Sequence, residues 1–163
     1  MKPLSALPDL VLTGLLSATH DDGVECMHGP QECLGNMLEL CAARQYPDPK
    51  MYLGFTMCMS NQYEDIPNKE LVEECALEHG MSFDKLNECA NAESGALGLE
   101  MLRSSFNRTS AMGVKKSCTV NVGDSVFAVR DGGEWTDLRN GSSAADLVAE
   151  VNRLYSPPSY SDW

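Results

Sequence analysis

The chemistry of this sequence rests on seven sulfurs, unevenly spread. Cys26, Cys33 and Cys41 fall within one short stretch, together with His28, Gly29 and Gly35. Cys58, Cys75 and Cys89 follow, and Cys118 stands apart. Such residues can exchange thiols, form structural disulfides or hold a soft metal ion. Thiol-disulfide exchange works best with a low-pKa thiolate at a helix N-terminus and a second thiol one turn later. No two cysteines here have that Cys-x-x-Cys spacing. Cys26 and Cys33, seven apart, can bridge a loop but do not form that pair. Cys26, His28, Cys33 and Cys41 together would supply four zinc donors, but their gaps match no ordinary zinc module. The expectation is therefore structural disulfides among Cys26, Cys33, Cys41, Cys58, Cys75 and Cys89, with no metal and no cofactor. Buried reduced cysteines are the alternative for a cytosolic chain. Seven cysteines with one left over pair in 7 × 15 = 105 ways, so the connectivity stays open. Cys75 and Cys89 flank a helix-turn-helix and are candidates to meet. Cys118 is the odd one, read as a half-buried strand cysteine with a free thiol.

The elements around these sulfurs read as short helices and then a hairpin. Pro30 opens a helix carrying Leu34, Met37, Leu38, Cys41 and Ala42 at helical spacing, which Pro47 ends. Asp48-Pro49 starts a second, through Phe55, Cys58 and Met59. A third runs from about Pro67 to His79 with Gly80 as its stop, and Ser82 caps a fourth. A fifth covers 95–106. Met51, Met57 and Met59 are read as core packing. Residues 117–122 and 125–130 form two strands joined at Gly123-Asp124, and Asp131-Gly-Gly133 is a further turn. Residues 144–155 are an amphipathic helix with Leu147, Val148, Val151, Leu154 and Tyr155 on one face. Residues 156–163 read as a loose tail. Residues 10–18 read as a buried helix or strand rather than a signal peptide.

Composition narrows the partners. The 163 residues suit a single domain, with 12 Lys+Arg against 24 Asp+Glu and a net charge of −12. That charge disfavours nucleic acid and anionic membranes, and no apolar stretch is long enough to span a bilayer. Asn107-Arg-Thr109 and Asn140-Gly-Ser142 are glycosylation sequons. With the clustered cysteines they favour an oxidising compartment.

The run Cys26-Met-His28-Gly29-Pro-Gln-Glu32-Cys33-Leu-Gly-Asn36-Met-Leu-Glu-Leu-Cys41 resembles the signature of the gamma-interferon-inducible lysosomal thiol reductase family. Seven of its eight fixed positions match: Cys26, His28, Gly29, Glu32, Cys33, Asn36 and Cys41. Met27 replaces the family's Gln. Cys58, Cys75 and Cys89 sit where relatives carry cysteines, and Arg130-Asp-Gly-Gly-Glu-Trp-Thr136 resembles the fungal branch. The resemblance covers about residues 23–155. It implies an α/β (α+β) chain: an incomplete thioredoxin-like fold, with 1–155 as one domain. Within it, 26–106 would be a helical, disulfide-rich insertion and 114–155 the closing β-β-α unit. Asp9-Leu-Val-Leu12 would be a remnant of the first helix. The family reduces disulfides of protein substrates at acidic pH in the lysosome or another secretory compartment. A complete cytoplasmic chain without a signal is the other location. Two features of the family are absent here. There is no Cys-x-x-Cys, and Val114-Lys-Lys-Ser-Cys118 lacks the proline that usually precedes the last hairpin. The expectation is a family homologue with no catalytic residues of its own. A disulfide-stabilised, non-catalytic binding protein is the alternative, and a saposin-like unit fails on cysteine spacing.

Overall fold

The computed structural model describes residues 24–116 and 118–155, which fall into two compact units. The readings of 10–18, of Asp9–Leu12 and of the tail 156–163 lie outside the described residues. The chain is α+β, with a helical unit followed by a small antiparallel sheet and a helix.

The helical unit contains α1 (Pro30–Gln45), α2 (Pro49–Ser60), α3 (Lys69–Glu78), α4 (Phe83–Asn91) and most of α5 (Ala96–Ala111). Its starts are written in the sequence. The Asp48 carboxylate accepts from the Lys50 backbone N–H at 2.9 Å, with Pro49 in the first turn where no donor is missed. Asn68 caps α3 and Ser82 caps α4 in the same way. The stop of α3 is a Schellman turn. Gly80 takes φ 70°, its N–H donates to the Leu77 carbonyl at 3.1 Å, and the Met81 N–H donates to the Ala76 carbonyl at 2.7 Å. Met81 is thereby carried into the core.

That core gathers Leu38, Cys41 and Ala42 of α1, Phe55 and Met59 of α2, Val72, Cys75 and Ala76 of α3, and Leu86, Cys89 and Ala90 of α4. The methionine stripe divides. Met59 is fully buried and Met51 packs against the core, whereas Met57 is 70% exposed. Two residues from Met59, its side chain points to the opposite side of α2. α5 comes close to its neighbours at Gly98. A Cβ there would lie 2.7 Å from Met37 Sδ and 3.1 Å from the Ala90 carbonyl oxygen. Gly98→Ala is expected to lower stability by about 1–2 kcal/mol. The overpacking outweighs the gain in helix propensity of about 1 kcal/mol. Urea unfolding of the two proteins checks the sign.

In the second unit β1 (Thr119–Val122), β2 (Ser125–Asp131) and β3 (Glu134–Thr136) form one antiparallel sheet in the order β1-β2-β3. Thr119 faces Val129, and a bulge between Val120 and Asn121 shifts the pairing so that Val122 faces Ser125. The third strand is an addition to the sequence reading. Gly132 and Gly133 have φ of 55° and 83°, the left-handed pair that a tight two-residue hairpin requires. They turn Glu134–Thr136 back onto β2, and Arg130 stacks over the Trp135 ring at 5.2 Å.

Helix α6 (Ala144–Tyr155) starts at a reciprocal cap. The Asp146 N–H donates to Ser143 Oγ at 3.2 Å, and Asp146 Oδ2 accepts from the Ser143 N–H at 3.0 Å. The Ser143 hydroxyl, donating to Asp146 Oδ2 at 2.7 Å, and then the Ser143 N–H hold the Asp146 carboxyl below its usual range. The amphipathic face is only partly used among the described residues. Leu147 packs against Val122, Phe127 and Ala128, while Val148, Val151, Leu154 and Tyr155 remain exposed. The buried residue of α6 is instead Glu150. It receives Arg153 Nε at 2.9 Å and Asn140 Nδ2 at 3.0 Å. The Arg153 hydrogen bond, then its charge, lowers the carboxyl's pKa.

Candidate functional site

The Cys26–Cys41 stretch is a turn followed by α1. Gly29, the residue before the helix, has φ 91°, a conformation that needs glycine. Its N–H donates to the Cys26 carbonyl at 3.0 Å, and Pro30 opens the helix. Glu32 reaches back across this turn. Its Oε2 accepts from the His28 backbone N–H at 2.6 Å and lies 3.0 Å from His28 Nδ1. Gly29 is the cap, so this carboxylate holds the residue before it and puts negative charge at the positive end of the helix. The His-Gly-x2-Glu portion of the motif thus holds the turn that delivers Cys26 to Cys33. Their sulfurs are bonded, with Cα atoms 5.6 Å apart.

Cys41, at the other end of the stretch, points away from that turn. It is fully buried and bonded to Cys89, tying α1 to α4 across 48 residues of sequence. Cys58 is bonded to Cys75, tying α2 to α3 across 17 residues. The suggested meeting of Cys75 and Cys89 is therefore corrected. The two cysteines sit on consecutive helices, but Cys75 is bonded to Cys58 of α2 and Cys89 to Cys41 of α1, in each case the helix against which its own helix packs. The four proposed zinc donors are not one set either, because Cys41 lies with Cys89 and not with Cys26, His28 and Cys33. Asn36 sits inside α1, with a buried Nδ2 that has no partner among the described residues.

Beside the Cys26–Cys33 bridge lies an open groove of ≈ 450 Å³, bordered by Val24, Glu25, Met27, Leu34, Met37 and Leu99. Cys26 is buried and Cys33 half-buried. Met27, the residue that departs from the motif, is 76% exposed. In the second unit Cys118 is an exposed free thiol just before β1, at φ 61°. The half-buried strand position read from sequence is therefore corrected. Cys118 precedes the strand, in a left-handed turn that takes it out of the pleat.

The sequons differ in setting. Asn107 is exposed but lies within α5, and Thr109 of its sequon is buried. Asn140 is in the exposed loop before α6. One carboxyl went unnoticed in the sequence. Glu39 is 9% exposed on α1, and desolvation raises its pKa to about 7. The available signal is its position between Gly35 and Ala42, both buried, at helical spacing.

Comparison with known proteins agrees with this geometry. The family model described as Gamma interferon inducible lysosomal thiol reductase (GILT) matches residues 8–79. The Gamma-interferon-responsive lysosomal thiol protein of Arabidopsis thaliana is 32% identical over 92 residues, which is 55% of this chain and 36% of that protein. The chain thus spans little more than a third of that relative's length. No solved structure matches the chain. A seven-of-eight match to the motif, a turn and helix in which its cysteine, histidine, glycine and glutamate residues interlock, and both sequence comparisons point the same way: over residues 8–79 the chain is similar to the gamma-interferon-inducible lysosomal thiol reductase family.

Proposed function

We propose that this chain is a thiol-reductase homologue that keeps a disulfide-braced scaffold of the family without reducing disulfides itself. One observation carries this reading. Six of its seven cysteines are joined in bridges between positions seven or more residues apart, and the seventh is the free Cys118. A reductase of this class needs two thiols one helical turn apart, so that the second releases the mixed disulfide formed by the first. No pair here has that arrangement. The family's acidic reduction of protein disulfides would belong to a protein that also supplied a Cys-x-x-Cys pair.

The setting proposed is the secretory pathway, either lysosome or vacuole or outside the cell. Three disulfides favour such an oxidising environment. Asn140, exposed in a loop, is the better glycan acceptor of the two sequons. The architecture proposed is one thioredoxin-like domain over 1–155, with the helical segment 26–106 inserted and 114–155 as its closing part. The hairpin followed by a helix supports that reading. Among the described residues no helix is long and apolar enough to cross a membrane.

Insulin reduction in mildly acidic buffer tests the proposal. The expected rate is that of the reductant alone, and Ellman's reagent should count one thiol in the denatured, unreduced protein. Insulin turnover well above the reductant background would overturn it. Absence of turnover with all three bridges intact fits use as a binding or interaction scaffold, the alternative that the cysteine pattern leaves.

A further inference from the structure

We propose that the Cys58–Cys75 bridge covers a latent zinc site, completed by Glu78 and His79 and exposed when a dithiol opens the disulfide. The sequence puts three of the donors on one helix. Cys75, Glu78 and His79 are spaced i, i+3, i+4 along the end of α3, and this spacing lines them up on one face. Cys58 comes from α2, to which the bridge holds α3. The Cys58 sulfur, a Glu78 carboxylate oxygen and a His79 ring nitrogen all lie within 4.8 Å of one another. Cys58 Sγ is 3.6 Å from Glu78 Oε2. Donors on a tetrahedral zinc are roughly 3–4 Å apart, and two thiolates, one imidazole and one carboxylate form an ordinary ligand set for that ion.

A second observation concerns how the imidazole is seated. Gly54 is one turn before Cys58 on the same face of α2. A Cβ at Gly54 would lie 2.5 Å from His79 Nδ1 and 2.6 Å from Cε1. The ring therefore occupies the space that the missing side chain leaves, beside the Cys58 sulfur. While the disulfide is closed, its sulfurs are not thiolates and are poor ligands.

Opening the site follows ordinary exchange chemistry. Cys75 is fully buried and Cys58 half-buried, so an incoming thiolate attacks the Cys58 sulfur and expels Cys75 as thiolate. The second thiol of the dithiol attacks the mixed disulfide and frees Cys58. Two electrons pass to the protein, and the dithiol leaves as its own disulfide. Zinc then takes both sulfurs as thiolates, displacing any protons they carry. The metal joins α2 to α3 in place of the covalent bond.

The test is the thiol-disulfide equilibrium of the full chain in a fixed dithiol/disulfide buffer, with and without zinc chloride. Alkylation and peptide mapping read each cysteine pair. Zinc at about 100 times its dissociation constant is expected to favour the open Cys58–Cys75 pair about 100-fold, because it binds only the reduced form. His79→Ala and Gly54→Ala should each cut that shift at least tenfold, with the three disulfides of the oxidised protein intact by mass. His28→Ala should leave it unchanged. No zinc-dependent shift at this pair would overturn the proposal. So would a shift that survives in His79→Ala, since that would be zinc held by thiols of an opened chain alone.

Discussion

Replacing Cys41 and Cys89 together by alanine is expected to lower unfolding stability by about 4 kcal/mol, the largest loss among the three bridges. The Cys41–Cys89 bond closes 48 residues of sequence, the Cys58–Cys75 bond 17 and the Cys26–Cys33 bond seven. A cross-link removes more freedom from the unfolded chain as its loop lengthens. On that account the costs are about 4, 3 and 2 kcal/mol respectively. Burial acts in the same direction. Cys41 is fully buried and Cys89 nearly so, and the truncated side chains leave space among Leu38, Leu86 and Ala90. For a domain whose whole stability is about 5–15 kcal/mol, a 4 kcal/mol loss leaves little margin. Guanidinium unfolding of the three double-alanine variants reads the order directly. A loss at Cys26/Cys33 equal to or above that at Cys41/Cys89 would show that loop length does not govern these bridges.

Glu39→Gln is expected to make the protein more stable at neutral pH and to change little at pH 4.5. Burial raises the Glu39 pKa from 4.5 to about 7. Below pH 4.5 the carboxyl is protonated in both the folded and unfolded chains, and folding carries no penalty. Between 4.5 and 7 the unfolded chain releases the proton and the folded chain keeps it, so stability falls as pH rises. Above 7 the loss levels off at about 3 kcal/mol, since each pKa unit corresponds to about 1.4 kcal/mol. Asp146 and Glu150, whose carboxyls are lowered, contribute in the opposite sense. Their stabilisation is present above their unfolded values and is lost as the pH falls. The difference between wild type and Glu39→Gln isolates Glu39 from them. Urea midpoints at four pH values from 4.5 to 7.5 should converge at the acid end and diverge at the neutral end. Parallel curves would mean that Glu39 is ionised in the fold. At acidic pH this buried acid imposes least cost.

Local chemistry alone made much of the fold legible. Asp48-Pro49, Ser82 and Gly80 act at helix ends, where backbone donors or carbonyls lack partners, so nearby residues settle the boundary. The strand Glu134–Thr136 was less legible, because three residues carry too little alternation to stand out and only pairing with β2 makes them a strand. The face of α6 shows the same limit from the other side. Its apolar spacing predicts a helix correctly, but spacing does not say which part of that face has something to pack against.

By itself, the sequence determined the helix-then-hairpin order, the likeness to a thiol reductase family through seven spaced motif residues, and the absence of any Cys-x-x-Cys pair. These are properties of neighbours along the chain. The tertiary structure decided which sulfur meets which, that Glu39 is buried, and that Glu78 and His79 stand beside Cys58. Those depend on residues seven to 48 positions apart being packed together. Pairing and desolvation are set by what surrounds a side chain in space, and spacing along the chain leaves that open.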